Sequence, residues 1–385
     1  MKSGAAWCRL VQIGTTWSKL LQLGATWCLA PPELAQPENF PHLEEVKVTV
    51  NEDPPTAAEM EHVLKIFENN KSAGTGKLKT EGLKYNSSNQ VMRVLLLLFN
   101  LIWSLVSVPT TWLYTSITCL HIIRRDRWTL QRITVVLLIG ANVSRILAKI
   151  FMLRLNEAYE TKINNSQFGF RRNWATNIAI FLLKSVIDKY NDTLIAVYID
   201  LTAAYDHMPR NFPFKVLERT GASHLIAILY KMCRGPTASI FGMKERFEVL
   251  FGCRQRGQES PYIFNYYFDY VLKVAAWEID KKFPDGWGIE FVFNIPHLCT
   301  NREQRKSGRL IGVEIVIWLL YADDLVLFCK VIAEVKTIME ILNDTCSRFR
   351  LTITFPKRQR FIVFSRRKCG GQCNRVHILW PNVQQ

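Results

Sequence analysis

Two acidic sites lie where apolar runs of the sequence end. Asp200 directly follows Leu194–Ile199, a β-branched apolar run, and Asp323 and Asp324 stand between two further apolar runs. Turns often contain aspartate for purely structural reasons, whereas a buried strand tolerates an acid only at its end. Carboxylates that converge from separate strand ends repel one another unless they share cations, and Mg²⁺ takes such oxygen ligands together with substrate phosphates. The pattern predicts two magnesium ions about 3.5–4 Å apart, the arrangement that serves phosphoryl transfer along a nucleic acid.

The elements that must position these acids alternate between helical and strand patterns from about residue 133 onward. Apolar residues at helical spacing predict three helices: Arg145–Tyr159, Ala175–Tyr190 and Pro261–Phe283. The last has Ser260 as its predicted N-cap and Pro261 at its first helical position. Apolar runs predict two strands around Tyr321-Ala322-Asp323-Asp324: Val313–Leu320 and Leu325–Lys330. Helices mixed with an antiparallel hairpin predict an α+β fold.

Positive charge is concentrated in the later part of the chain. The formal net charge is +16, whereas residues 1–120 hold 10 basic and 10 acidic side chains. After Arg348 the chain has no acid and eight basic residues: Arg350, Lys357, Arg358, Arg360, Arg366, Arg367, Lys368 and Arg375. Such a surface favours a polyanionic partner, with nucleic acid the leading candidate, although a basic protein without a special partner stays an alternative. A hydrophobic fraction of 49% excludes wholesale disorder.

The first third of the chain has a different organisation. Residues 1–30 form a low-complexity repeat of period ten, and residues 31–58 form a linker rich in proline and acidic residues. The segment Val94–Leu120 lacks charge and is long enough to cross a membrane. Pro109 divides it into two parts that are each too short to span, so a pair of buried helices is the preferred interpretation and membrane insertion the alternative. The scattered cysteines indicate a reducing, intracellular compartment, with Cys329 and Cys346 buried.

Several motifs jointly resemble the reverse transcriptase of non-LTR (LINE-type) retrotransposons. Tyr321-Ala322-Asp323-Asp324 resembles the active-site hairpin of that family, and Asp200-Leu-Thr-Ala-Ala-Tyr205-Asp206 resembles its first catalytic motif. The supporting matches follow the family order: Asn69–Gly74, Gln167–Arg171 with Thr176, Arg254–Pro261, and Leu351-Thr352 with Lys357. The resemblance covers roughly residues 60–365. It implies RNA-directed DNA synthesis with magnesium as cofactor and with RNA template, DNA primer and dNTPs as partners.

The resemblance also implies a role for individual residues. Asp200 and Asp323 would hold the magnesium ions, Asp324 would support them, and the Leu201 carbonyl would be a further metal ligand. Tyr205 would lie under the incoming sugar and reject a 2′-hydroxyl. The remaining predicted contacts are Arg171 and Arg172 to the triphosphate, Gln255, Gly257, Ser260 and Pro261 to nucleotide and template, and Lys357 as general acid. Core packing for Tyr205, a surface position for Arg172 and phosphate binding for Lys357 stay open as alternatives.

The implied architecture is a right-hand polymerase with an N-terminal extension that is mostly helical. The expected boundaries are the extension over 59–119, fingers over 120–199, palm over 200–365 and a basic tail over 366–385. The thumb is expected to be absent or truncated, as in a shortened copy without an upstream endonuclease. The expected location is the nucleus or the cytoplasm, without stable membrane association; the sequence leaves the oligomeric state undetermined.

Departures from the family pattern leave a second function open. Arg256 and Arg350 stand where related elements carry glycine, and Thr354 stands where they carry asparagine. Asn173 and Trp174 replace the glycine and arginine that are favoured in the fingers motif. The alternative is therefore a catalytically inactive relic that still binds RNA or an RNA–DNA hybrid.

Overall fold

The computed structural model describes most of the chain outside its first 46 residues. The described ranges are 47–69, 79–85, 89–126, 129–139, 142–160, 162–172, 174–190, 194–219, 221, 223–234, 237–240, 245–249, 252–253, 257–293, 312–354, 361–365 and 374–378. The chain divides into two compact units, one made of 1–161 and 205–264 and the other of 162–204 and 265–385. Each unit draws on separate stretches of sequence, so each is built from non-local contacts. The period-ten repeat lies outside the described residues.

The first unit combines helices with a four-stranded sheet. Its helices are α1 (Ala57–Ile66), α2 (Thr80–Lys84), α3 (Asn89–Leu105), α4 (Asn142–Tyr159), α6 (Ala204–His207, which starts one residue before the unit), α7 (Asn211–Arg219) and α8 (Ser223–Cys233). Its strands are β1 (Tyr114–Asp126), β2 (Thr129–Ile139), β4 (Thr237–Ile240) and β5 (Phe247–Glu248), in the order β2-β1-β4-β5. Helix α4 confirms the predicted helix over Arg145–Tyr159 and forms the core of this unit, with Leu147 and Phe151 fully buried.

The prediction of two buried helices over Val94–Leu120 is wrong for the second helix and only partly right for the first, because α3 leaves Val94, Leu97, Leu101 and Leu105 exposed. Helix α3 ends at Leu105, a short 3₁₀ turn follows over Thr110–Leu113, and the chain then enters strand β1. β-Branched residues after Tyr114, among them Thr115, Ile117 and Thr118, favour an extended backbone, and β1 pairs with β2 on one side and with β4 on the other. Among the described residues, no helix has both the length and the apolar character needed to cross a membrane.

The second unit is built around a six-stranded antiparallel sheet. Its strands are β3 (Ile195–Leu201), β8 (Trp318–Tyr321), β9 (Asp324–Cys329), β10 (Ile353–Thr354), β11 (Phe361–Ser365) and β12 (Asn374–Ile378). The order is β12-β11-β3-β9-β8, and β10 also pairs with β3. A separate two-stranded sheet contains β6 (Ile289–Phe293) and β7 (Gly312–Val316). The helices are α5 (Thr176–Lys189), most of α9 (Ser260–Lys282) and α10 (Ile332–Arg348). The mixture of helices and antiparallel strands confirms the α+β class.

Two predicted element boundaries are corrected. The predicted strand Val313–Leu320 is two strands, because β7 pairs with β6 whereas β8 pairs with β9. Helix α9 begins one residue earlier than predicted, and the Ile263 N–H donates to the Glu259 carbonyl at 3.0 Å. Glu259 therefore holds the N-cap position that the sequence assigned to Ser260. The domain boundaries inferred for fingers and palm stay a prediction.

Candidate functional site

One face of the six-stranded sheet is covered at one end and open at the other. The covered end packs under α5 in a buried apolar cluster that includes Phe168, Val186, Leu194, Ala196, Leu319 and Phe328. Alternate residues of a strand share a face, so the same face continues from the cluster to four exposed side chains. These are Tyr198, Asp200, Tyr321 and Asp324. The strands that form the core thus carry acids onto an open surface immediately beyond it.

The register of the sheet brings the predicted acids together. Strands β3 and β9 pair antiparallel up to Ile199 opposite Leu325, and the next step of that register sets Asp200 opposite Asp324. Strands β8 and β9 pair up to Tyr321 opposite Asp324, which leaves a turn of two residues between them. Asp323 is the second residue of that turn, so the three carboxylates lie at one end of two adjacent strand pairs. Asp200 is the penultimate residue of β3 rather than a residue beyond its end.

The electrostatics of Asp323 reflect this convergence. Burial raises the pKa of its carboxyl above the ordinary value, and the negative charges of Asp324 and Asp200 raise it further. A hydrogen bond from the main chain of Asp323 opposes the shift. Like charges that disfavour each other's ionisation are relieved by a shared cation. The negative charges of Asp200 and Asp324 therefore act on the Asp323 carboxyl.

The turn that carries Asp323 has an unusual backbone. Ala322, its first central residue, has φ of 59°, in the left-handed region, whereas Asp323 does not have a positive φ. A positive φ at the first central position alone is characteristic of a type II′ turn, in which glycine is usual. The surrounding structure must therefore hold Ala322 in a conformation that alanine does not favour.

The two fingers-motif arginines differ in their surroundings. Arg171 is 9% exposed, and its Nη1 donates to the carbonyls of Asn164 and Gln167, both at 3.1 Å. Its guanidinium also lies over the ring of Trp174, 4.2 Å from the centroid. Arg172 is exposed. In this conformation Arg171 ties its own loop together, so contact with a triphosphate would require it to exchange these bonds; that role stays a prediction.

The main chain of Leu201 faces the acids. Thr202, the next residue, donates its N–H to the Thr352 carbonyl at 2.8 Å, on the β10 side of β3. Main-chain groups of successive strand residues point to opposite neighbours, so the Leu201 carbonyl points to the β9 side, where Asp323 and Asp324 lie. Its orientation suits the predicted role as a metal ligand.

In the first unit, Tyr205 lies against the start of α9. Its ring stacks on Phe264 with centroids 4.3 Å apart, and its carbonyl accepts a hydrogen bond from the Cys253 N–H at 2.8 Å. Ser260 is buried and Pro261 half-buried in the first turn of the same helix, and Gly257 is half-buried just before it. The structure thus groups these four predicted contact residues at one helix start.

Other predicted residues lie outside the described residues. They are Gln255 and Lys357 of the predicted site, the glycine-replacing Arg256, and most of the Asn69–Gly74 segment. The roles proposed for them stay predictions from the sequence.

The donor set of the open sheet end fits a divalent cation. Within the ranges that the structure describes, no group of three or more His, Cys, Asp or Glu side chains is close enough to hold a metal ion by itself. Magnesium does not require such a group, because it is bound through one or two carboxylates and completes its shell with water and substrate phosphates. Asp200 and Asp323, together with the Leu201 carbonyl, meet that requirement in residue type and in their common location.

Comparison with protein-family models gives this geometry a context. The model described as reverse transcriptase (RNA-dependent DNA polymerase) matches residues 136–379. The match covers more than half of the chain and includes all three acids of the open sheet end. The chain therefore belongs to the reverse transcriptase family, whose members use divalent metal ions and act on a nucleic-acid template, a primer and dNTPs.

Three residues support the turn that carries Asp323, and none of them was assigned a role from the sequence. Gln167 and Gly169 belong to a quoted motif but were assigned no role, and both are buried against the turn that carries Asp323. Asn265, in α9, donates from Nδ2 to the Gly169 carbonyl at 2.8 Å. The motif itself was the available signal for the first two residues. No local pattern in the sequence singles out Asn265, because its role depends on a contact with Gly169, which is distant in sequence.

Proposed function

We propose that this chain is an RNA-directed DNA polymerase that adds dNTPs to a primer 3′-hydroxyl on an RNA template with two magnesium ions. The observation that carries the proposal is the open end of the sheet. There the strand register brings Asp200, Asp323 and Asp324 to one end of the sheet. Burial and the negative charges of the other two acids raise the pKa of Asp323, in keeping with that convergence. Carboxylates that converge at strand ends suit the binding of hard cations that contact phosphate oxygens.

The residues at this end of the sheet have distinct roles in the proposed reaction. Asp200 and Asp323 hold the cations, the Leu201 carbonyl adds an oxygen ligand, and Asp324 contributes negative charge behind them. Bound there, divalent ions activate the primer hydroxyl and neutralise charge on the triphosphate and on the leaving pyrophosphate. The resemblance assigns Tyr205, whose ring stacks on Phe264, to the sugar of the incoming nucleotide, and this role stays a prediction.

We also propose that the chain derives from a non-LTR retrotransposon and adopts a right-hand arrangement. The motif order from Gln167 to Lys357 supports this origin. The six-stranded sheet is assigned to the palm because it carries the acids, and the basic stretch after Arg348 is assigned to template phosphates. The remaining domain boundaries follow the sequence interpretation.

An inactive nucleic-acid-binding relic is the second candidate. Arg350 has φ of 60°, a conformation that glycine adopts without strain and arginine does not. Arginine therefore replaces the expected glycine at a position whose backbone conformation favours glycine. Such a substitution is expected in a chain that has accumulated changes. The excess positive charge would still favour RNA binding in such a relic.

Primer extension on an RNA template separates the two candidates. Purified full chain is incubated with an annealed DNA primer, dNTPs and either Mg²⁺ or EDTA, and RNA–DNA binding is measured in parallel by fluorescence anisotropy. The polymerase predicts Mg²⁺-dependent extension together with binding. Binding without any extension, at protein in excess over primer, would favour the relic and contradict the polymerase.

A further inference from the structure

The loop before α5 is joined to the strand that leads into the aspartate turn. The Leu320 N–H donates to the Ser166 carbonyl and the Phe168 N–H donates to the Leu320 carbonyl, each at 2.9 Å. These two bonds make Gln167 and Leu320 a short parallel bridge. The loop thus runs alongside β8 and reaches the turn at its end.

The Gln167 side chain binds the turn directly. Its Oε1 accepts from the Ala322 N–H at 3.0 Å, and its Nε2 donates to the Ala322 carbonyl at 3.2 Å. The same Oε1 also accepts from the Gly169 N–H at 2.8 Å. Gln167 is 2% exposed, so these bonds form away from water. A carboxamide supplies an acceptor and donors on one rigid group, which matches both main-chain groups of a single residue.

Gly169 lets the loop approach the turn closely. A Cβ at this position would lie 2.4 Å from the Ala322 nitrogen, a distance that real contacts do not show. The Gly169 carbonyl is in turn held by Nδ2 of Asn265, which is itself buried in α9. The turn therefore packs against a loop that is anchored to a long helix.

We propose that Gln167 is a positioning residue for the proposed polymerase reaction. By holding both main-chain groups of Ala322, it keeps that residue at its strained positive φ and so fixes the direction of the adjacent Asp323 carboxylate. Without the carboxamide, the turn can relax to other conformations, and the Asp323 carboxylate then moves relative to Asp200. This inference rests on the proposed function, because it assigns Gln167 a role only through Asp323.

Loss of this hold should affect the chemical step more than binding. Displacement of a reacting group by about 1 Å can reduce the rate of an enzyme about 100-fold. We expect Gln167→Met, which removes both bonds to Ala322 and the bond from the Gly169 N–H at similar side-chain length, to reduce kcat by about 10- to 100-fold. The KM for dNTP and the affinity for the RNA–DNA duplex should change little. Gln167→Glu, which replaces the donor to the Ala322 carbonyl by a carboxylate oxygen and adds a negative charge near Asp323, is a second variant and should also reduce kcat.

The test combines single-nucleotide extension kinetics with hydrogen–deuterium exchange of the full chain. Ser166→Ala is the matched control, because the two hydrogen bonds of Ser166 to the loop and to β8 use its main chain. Thermal melting establishes that each variant folds. In Gln167→Met the peptide that contains Ala322 should exchange faster than in the wild type, whereas Ser166→Ala should match the wild type in both measurements.

Three outcomes would overturn the inference. Wild-type kcat in both folded Gln167 variants would show that the hold is not needed for catalysis. Unchanged exchange of the Ala322 peptide would show that Gln167 does not hold the turn. A fall in kcat that is matched by an equal rise in KM and an equal fall in duplex affinity would indicate a general loss of structure. The same changes in Ser166→Ala would indicate it too. If the wild type itself extends no primer, the proposed function fails, and the exchange comparison alone then decides whether Gln167 holds Ala322.

Discussion

Arg350, just beyond the end of helix α10, has a backbone conformation that residues with a Cβ disfavour. Its φ is 60°, its N–H donates to the Ser347 carbonyl at 3.0 Å, and the Leu351 N–H donates to the Cys346 carbonyl at 2.8 Å. This pair of bonds is the Schellman arrangement, whose left-handed residue after the helix is usually glycine. The glycine expected there from the family pattern thus has a physical reason, and arginine occupies the position at a conformational cost.

Replacement of Arg350 by glycine should stabilise the chain. A left-handed conformation costs a residue with a Cβ about 1 kcal/mol, so Arg350→Gly should raise the free energy of unfolding by about that amount. Urea denaturation monitored by circular dichroism measures the difference. Arg348→Gly, two residues earlier and inside the helix, is the control and should destabilise the chain, because it places glycine in the helix and removes the ion pairs of Arg348 with Glu278 and Asp344. An Arg350→Gly chain that is less stable than the wild type would show that the contacts of the arginine outweigh its strain.

At the scale of elements, a partly buried ion pair joins helix α1 to helix α4. Arg154 donates from Nε to Glu59 Oε1 at 2.6 Å and from Nη2 to Glu59 Oε2 at 2.8 Å. Glu59 also forms a reciprocal capping box with Thr56 at the start of α1. Burial alone would raise the pKa of Glu59, but the hydrogen bonds from Arg154 and Thr56 outweigh it and lower the pKa overall. The Glu59 carboxylate therefore both caps the start of α1 and binds α1 to α4 through Arg154.

The lowered pKa predicts how this contribution depends on pH. A depressed carboxyl pKa stabilises the folded state fully above the unfolded pKa of about 4.3, and the stabilisation is lost as pH falls through the folded value. Glu59→Gln should therefore cost about 2 kcal/mol at pH 7 and much less near pH 3. Urea denaturation at both pH values tests this, with the exposed Glu61→Gln as control. A cost that is equal at the two pH values would exclude the ion pair as its source.

Elements defined by local patterns were predictable, whereas those defined by distant partners were not. Helix α4 and strand β3 follow from the spacing of their own apolar residues. The part of strand β1 up to Leu120 was predicted as helix, because the charge-free run alone does not show that it pairs with β2 on one side and with β4, far along the chain, on the other. The same distinction applies at the site. Asp200 and Asp323 are identifiable from strand ends and motifs. The hydrogen bonds of Gln167 to Ala322 depend on pairing between Gln167 and Leu320, which no local pattern predicts.

At the scale of the whole molecule, the uneven charge defines how nucleic acid binding should be tested. Removal of every residue after Arg348 would delete eight positive charges, but it would also delete β10 and β11, which pair with the Asp200 strand. Substitutions that leave the sheet sequences intact are therefore the cleaner test. Arg366, Arg367 and Lys368 follow β11 and are suitable for this purpose.

Neutralising these three residues should reduce the salt dependence of RNA binding. Each basic side chain that no longer binds a phosphate lowers the slope of log K against log salt by about 0.7–0.9, so the triple glutamine variant should show a slope smaller by up to about 2–3. Binding titrations across a range of salt concentrations measure this slope. The control removes the same charge from the neutral part of the chain, at the exposed Lys47, Lys65 and Lys79. Equal slopes in both variants would show that the basic stretch does not face nucleic acid.

The rate of single-nucleotide addition by Asp323→Asn tests the assignment of the site most directly. Asparagine keeps the size of the side chain and removes the charge that a cation would neutralise, so extension on an RNA template with Mg²⁺ should fall by several orders of magnitude while duplex affinity stays within a few-fold. Asp188→Asn, at an exposed position of helix α5, removes the same charge elsewhere in the second unit and should extend at the wild-type rate. Undiminished addition by Asp323→Asn would contradict the proposed role of the open sheet end in polymerisation.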